Sequence, residues 1–195
     1  MANTDIATGL WPVRKVSGEY WTGAANIYNV PSSYASNLFL GDPMIPTGTS
    51  DANGIPNVTL ATAGTSNYLI GCFVGIVNGG DPIIPVTRDL PIYHTASTQQ
   101  YILVADDPQL LYAIQEDGNA GVNASSANAN LASGSGSTTT GYSGWELSSS
   151  SVATTATLQM RVLRPYNIPN NDATLTNAKW LVRINLHSLV NTTGI

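Results

Sequence analysis

The eleven residues Thr154–Arg164 read TTATLQMRVLR. Ala156, Leu158, Met160 and Val162 fall on one parity, and Thr155, Thr157, Gln159 and Arg161 on the other. Side chains alternate between the two faces of an extended chain, so the pattern predicts a strand with an apolar inward face and a polar outward one. Lys179–His187 (KWLVRINLH) repeats it, with Trp180, Val182, Ile184 and Leu186 inward and Leu181, Arg183, Asn185 and His187 outward. Two half-exposed strands of this kind pair as one face of an antiparallel sheet. The stretch between them, RPYNIPNNDATLTN, is rich in proline and asparagine and reads as a loop.

Working outward, Trp21–Val30 and Asn57–Thr62 are β-compatible, while Tyr68–Val77 and Gln99–Ala105 are continuous apolar runs rich in β-branched and aromatic residues. Asp107–Gln115 (DPQLLYAIQ) admits two readings. As a helix it has Asp107 as N-cap, Pro108 at the first position and Gly118 past the end. As a strand it alternates Leu110, Tyr112 and Ile114 after an Asp-Asp-Pro turn. The strand is preferred, because a hairpin with Tyr101–Ala105 buries both apolar runs. Gly41-Asp-Pro-Met-Ile-Pro46 and Gly80-Asp-Pro-Ile-Ile-Pro85 share turn chemistry, and their second proline removes a ladder donor, which places both at a sheet edge or barrel rim. The expectation is an all-β chain: an antiparallel β-barrel or jelly-roll-like domain over residues 13–195, an extended N-terminal arm over 1–12, and long Gly/Ser/Asn/Thr-rich loops.

The longest such loop, Gly118–Gly144, contains no charged residue. Small side chains permit close backbone approach, and hydroxyls and amides can satisfy backbone groups. The stretch therefore reads either as a loop lying against another surface or as a loose insertion. Composition points the same way for the whole chain. Of 195 residues only 10% are charged, whereas 43% are apolar, so neutral polar groups stand in for charge. Such a surface lacks the lysines and glutamates that interfaces exclude and that oppose association. The net charge is −5 with seven basic residues, tightly clustered only at Arg14–Lys15 and Arg161/Arg164. Phosphate neutralisation needs clustered cations, so no nucleic-acid partner is expected. No apolar run reaches membrane-spanning length and the first fifteen residues carry no secretory h-region, so neither a membrane nor export is expected.

Chemistry finds little support. Cys72, the sole cysteine, sits in an apolar run and reads as an inert core thiol. His94 and His187, the two histidines, have no metal-ligand spacing. Asp106-Asp107 can share a hard cation in a turn, but no calcium-loop spacing follows, and a turn-forming pair is the simpler reading. Asp107 and Glu116 can be offered as a glycosidase pair, though twelve acids always supply some pair. Gly134-Ser-Gly136 lacks the lysine of a phosphate loop. No enzyme and no cofactor are expected.

A family resemblance adds to this reading. VRKVSGEYWTGAANIYNVP (Val13–Pro31), LFLGDP (Leu38–Pro43), IGCFVGIV (Ile70–Val77), YILVADDPQLLYAIQEDG (Tyr101–Gly118), TTTGYSGWELSSSS (Thr138–Ser151), TLQMRVLR (Thr157–Arg164) and AKWLVRINLH (Ala178–His187) resemble segments of capsid decoration, or cement, proteins of tailed bacteriophages. The resemblance implies an all-β barrel or jelly roll made in the host cytoplasm and carried on the exterior of the virion. It implies the major capsid protein as partner, attachment as a homotrimer or, second, a dimer, and no catalysis.

The expected contact residues are Ile6, Leu10, Trp11 and Pro12 of the arm, Arg14 and Lys15 beside it, and Trp21. An arm of this kind can add a strand to a neighbour's sheet edge with Ile6, Leu10 and Trp11 as anchors; the simpler alternative packs Trp11 on its own domain. Tyr20, Trp21, Tyr28 and Tyr34 admit a second function, a fibre-type or carbohydrate-binding virion module, which requires coplanar, solvent-facing rings.

Overall fold

The computed structural model describes residues 2–77 and 91–190 and is all-β. Its strands are β1 (Trp11–Lys15), β2 (Asn26–Val30), β3 (Leu38–Phe39), β4 (Pro43–Ser50), β5 (Pro56–Leu60), β6 (Gly71–Val77) and β7 (Tyr93–His94). They continue with β8 (Gln100–Ala105), β9 (Leu110–Gln115), β10 (Asn128–Ala129), β11 (Leu131–Ala132), β12 (Glu146–Leu147), β13 (Met160–Pro165) and β14 (Lys179–Ile184). Among the described residues no helix is long and apolar enough to cross a membrane.

Two architectures share the chain. Strands β2-β5-β4-β6-β8 close into a barrel, and β1-β9-β14-β13-β10 form an open antiparallel sheet. The barrel closes through one parallel pairing, Asn29 opposite Asn57. That seam is fastened by a 2.6 Å hydrogen bond from Asn29 Nδ2 to Asn57 Oδ1. The barrel interior holds Tyr28, Val30, Met44, Val58, Phe73, Ile102 and Val104. A second core lies between barrel and sheet. Leu69, Cys72 and Ala105 meet Tyr112, Ile114, Met160, Val162, Trp180 and Val182 there. Burial pushes the free Cys72 thiol far above its ordinary value, as expected of an inert core cysteine.

The chain passes from barrel to sheet at Asp106-Asp107-Pro108, and the two carboxylates hold opposite sides of that passage. Asp106 is buried and accepts hydrogen bonds from Asn26 Nδ2 at 2.9 Å and from Tyr28 Oη at 2.7 Å, both on β2. Asp107 accepts from the Gln109 amide at 2.8 Å and pairs with Lys15 Nζ of β1 at 3.0 Å. The preference for turn-then-strand holds, but the hairpin does not form. β9 lies between β1 and β14, not beside β8. With Asp106 retained by β2 and no amide proton on Pro108, the chain turns away from the barrel wall and enters a different sheet.

The two strands that open the sequence reading pair as foreseen, with Met160 opposite Ile184 and Val162 opposite Val182. Four side chains depart from the alternation. Gln159, expected outward, is fully buried because the strand starts only at Met160. Its amide accepts from the Gly64 and Leu131 amides at 3.0 and 3.1 Å and donates to the Thr62 and Asn67 carbonyls at 2.9 and 3.3 Å. Leu181, also expected outward, is buried between Ala113 and Arg164 in the middle of the sheet. His187 lies past the end of β14, where Leu186 and Ser188 bond the backbone of Leu69, and it is buried against the barrel. Ala156, expected inward, is exposed in the turn before β13.

Gly118–Gly144 does lie against a surface, and that surface is its own molecule. Ala124, Ala129 and Leu131 join the central core. Gly136 abuts the Phe39 ring and Gly134 abuts the Gly144 backbone, where a Cβ on either would collide. At Gly41-Asp-Pro, Gly41 takes a left-handed φ of 94° and Pro43 starts β4; Pro46, expected at an edge or rim, lies within that barrel strand opposite Val58. The second copy, Gly80–Pro85, lies outside the described residues. The proposed arm does not project. The Leu10 amide donates to Gly41 O at 2.9 Å, the Ile6 amide to Gln115 Oε1 at 3.0 Å, and the Asn3 side chain to Asp172 O and Thr176 O. Residues 2–10 therefore run across their own domain.

Candidate functional site

The inner face of the open sheet is consumed by the core, and its outer face is what the protein presents. Residues directly opposite on antiparallel strands share a face, so register alone defines the rows. Arg14 stands opposite Leu111, Leu111 opposite Arg183, and Arg183 opposite Arg161. The next row is Trp11, Ala113, Leu181 and Arg164, and the third contains Gln115 and Lys179. Five of the chain's seven basic residues thus lie on one sheet face.

Two β-bulges produce this arrangement. Trp11 and Arg14 are three residues apart, as are Arg161 and Arg164, so strict alternation would send each pair to opposite faces. The register slips between Pro12 and Arg14 on β1, and between Val162 and Arg164 on β13. One extra residue in each strand restores the parity. Both strands that flank the β9–β14 centre therefore aim their cations outward.

One end of this face is an apolar groove of about 320 Å³ between Trp11, Tyr142, Tyr166 and Ile168, floored by Ala113 and Lys179. Trp11 is 46% exposed and meets Tyr142 edge-on, with ring centroids 6.4 Å apart and planes at 66°. Tyr142 and Ile168 are themselves more than a third exposed. A smaller groove of about 220 Å³ shares Ile168 and Lys179 and carries the strip on to Ile6, which is 56% exposed. The opposite end is a polar groove of about 590 Å³ lined by Arg14, Arg161 and Arg183, with Leu111, Val16 and Leu163 between them and no carboxylate.

Of the residues expected to make contacts, Ile6, Trp11 and Arg14 come together on this face. Leu10 and Pro12 do not, because both are buried in their own fold. Pro12 stands opposite Tyr112 on the inner side. Lys15 turns to the other side of β1 and is held by Asp107. Trp21 packs against the core with its indole N–H on Ala24 O. Sequence reasoning missed Tyr142, Tyr166, Ile168, Arg161 and Arg183 as neighbours of Trp11 and Arg14. The outward parity of Arg161 and Arg183 was the available signal, and only the pairing of β1 with β9 joins them to Arg14.

The other candidates stay apart. Tyr28 is buried on Asp106, Tyr20 is exposed alone and Tyr34 tilts against His94, so the four expected rings form no coplanar platform. Asp107 and Glu116 stand at opposite ends of β9. Glu116 is fully buried and accepts from Trp180 Nε1 at 2.9 Å and the Ala120 amide at 2.9 Å. Burial raises its pKa above the usual carboxylate range. His94 and His187 are both held below the ordinary histidine value by burial. Among the described residues no three His, Cys, Asp or Glu side chains converge as a metal site. No protein-family model, curated protein or solved structure matches this chain.

Proposed function

We propose that this protein is a virion structural protein, a cement protein that binds the outside of an icosahedral phage capsid and clamps adjacent capsid subunits, without altering a covalent bond. The observation that carries the reading is the outer sheet face, where an exposed apolar strip of Ile6, Trp11, Tyr142 and Ile168 adjoins a row of cations on a chain otherwise poor in charge. A tryptophan in a shallow apolar groove, ringed by polar groups, is the usual composition of an interface centre. The likeness of seven segments to decoration proteins supplies the identity of the partner.

A packed genome presses outward on the shell, and a clip across subunit seams resists their separation. As a homotrimer, or second a dimer, each clip engages several subunits, so modest single contacts add through effective concentration. Neutral hydroxyls and amides make hydrogen bonds there without the cost of desolvating ions. The acidic balance suits a protein that stays on the exterior, away from DNA.

The test is co-sedimentation of the purified chain with mature capsids from which it has been stripped, followed by heating of the decorated particles. Stoichiometric binding and a raised temperature of genome release support the reading. A chain that ignores the shells but binds a glycan array is the carbohydrate-binding module instead.

A further inference from the structure

We infer that the Arg14–Arg183–Arg161 row is a binding site for an extended acidic segment of a partner protein, with aspartate or glutamate carboxylates seated on the three guanidinium groups. Strands lie about 4.8 Å apart, so the row crosses the sheet over roughly 14 Å, the reach of four or five extended residues. The floor between the arginines is apolar, from Leu111, Val16 and Leu163. A peptide that alternates acidic and aliphatic residues matches a surface that alternates guanidinium and aliphatic groups.

Three observations point to an anionic occupant. The groove has no carboxylate of its own, and the one ion pair among the described residues, Lys15 with Asp107, lies elsewhere. Arg183 Nε is buried with no hydrogen-bond partner, although its neighbour Arg161 donates to Ser126 O at 2.9 Å. Finally, Arg183 and Arg161 stand directly opposite each other, and like charges so placed oppose the pairing unless an anion lies between them. A carboxylate with four lone-pair directions can accept from both guanidinium forks. Nucleic acid fits less well, because three cations release too few counterions for useful affinity at physiological salt.

The inference names the chemistry of the partner at the surface assigned above, and rests on that reading only for which protein carries the segment. The decisive experiment is fluorescence anisotropy of the full chain with a labelled alternating Glu-Val octapeptide. A Gln-Val octapeptide, inorganic phosphate and a single-stranded oligonucleotide serve as comparisons. The Glu peptide should bind at least tenfold tighter than the Gln peptide, with affinity falling as salt rises. Arg183→Gln and, independently, the exposed Arg161→Gln should each weaken it about tenfold, while Arg164→Gln in the next row should leave it within twofold. Unchanged melting curves for Arg161→Gln keep the result interpretable if Arg183→Gln unfolds. Equal binding of both peptides, indifference to Arg161→Gln, or preference for phosphate or the oligonucleotide overturns the inference. Co-sedimentation with capsids separates the two claims. Shell binding without peptide binding rejects the row and keeps the cement reading, whereas peptide binding without shell binding does the reverse.

Discussion

The hydroxyl of Tyr112, in the middle of the open sheet, donates a 2.8 Å hydrogen bond to the carbonyl of Ala105, the last residue of barrel strand β8. Both residues are fully buried. The bond therefore ties the two architectures together across their shared core, seven residues apart in the chain and on either side of the Asp106-Asp107-Pro108 passage. Tyr112→Phe removes it with little change of shape. We expect a loss of about 1 kcal/mol in denaturant unfolding, equivalent to roughly 3 °C in melting temperature. No change would mean that the barrel and the sheet are not coupled through this contact.

Gln159 supports a larger prediction. Gln159→Leu preserves volume but strands the Gly64 and Leu131 amides and the Thr62 and Asn67 carbonyls without their partner. Buried groups left unpaired cost on the order of 1–3 kcal/mol each, so the four together predict a total loss of about 4 kcal/mol or more. Faster amide exchange at Gly64 and Leu131 would accompany it.

Asp42 sets a pH dependence. It is buried, and desolvation lifts its pKa from 3.8 to about 6 against the opposing bonds from the Ser143 hydroxyl and the Phe39 amide. Between those two values the folded protein holds a proton that the unfolded chain has released. Stability from this group therefore falls as pH rises through the window, by on the order of 2–3 kcal/mol in all. His94 and His187, held low by burial, act in the opposite sense below 6.5. The comparison with Asp42→Asn isolates the carboxyl. The variant should gain on the wild type between pH 4 and pH 7.5, and a constant difference across that range would contradict the assignment.

How far the sequence could be read follows from which interactions are local. Alternation in Thr154–Arg164 and Lys179–His187 announces two strands, because the pleat is a property of consecutive residues. It misplaces Gln159, Leu181 and His187, since burial of an outward position depends on what lies beside or beyond the strand. It says nothing of Arg164, because a bulge changes the parity without leaving a mark in the pattern. The turn at Asp106-Asp107-Pro108 is legible from its composition, but the sheet that receives the next strand is not, because Asn26, Tyr28 and Lys15 decide it from more than seventy residues away. The same holds for the contact face. Trp11 and Arg14 can be picked out singly, whereas Tyr142, Ile168 and Arg183 reach them only through the register of β1, β9 and β14.

Trp11 separates binding from folding. It is 46% exposed and its edge contact with Tyr142 contributes about 1 kcal/mol or less to stability. As the centre of an interface it would contribute about 2 kcal/mol or more, roughly thirtyfold in affinity. Trp11→Ala should therefore leave the melting curve nearly in place and weaken capsid binding at least tenfold, measured by co-sedimentation across a concentration series. Equal losses in both would make Trp11 a structural residue of its own domain.

A cryo-EM map of phage particles assembled in the presence of this protein tests the cement proposal most directly. We expect density for the protein on the outer surface at seams between capsid subunits, with Trp11, Tyr142 and Ile168 covered by a neighbouring subunit and an acidic stretch of it crossing Arg183. A map that leaves this sheet face open to solvent, or a shell that lacks the protein altogether, would contradict it.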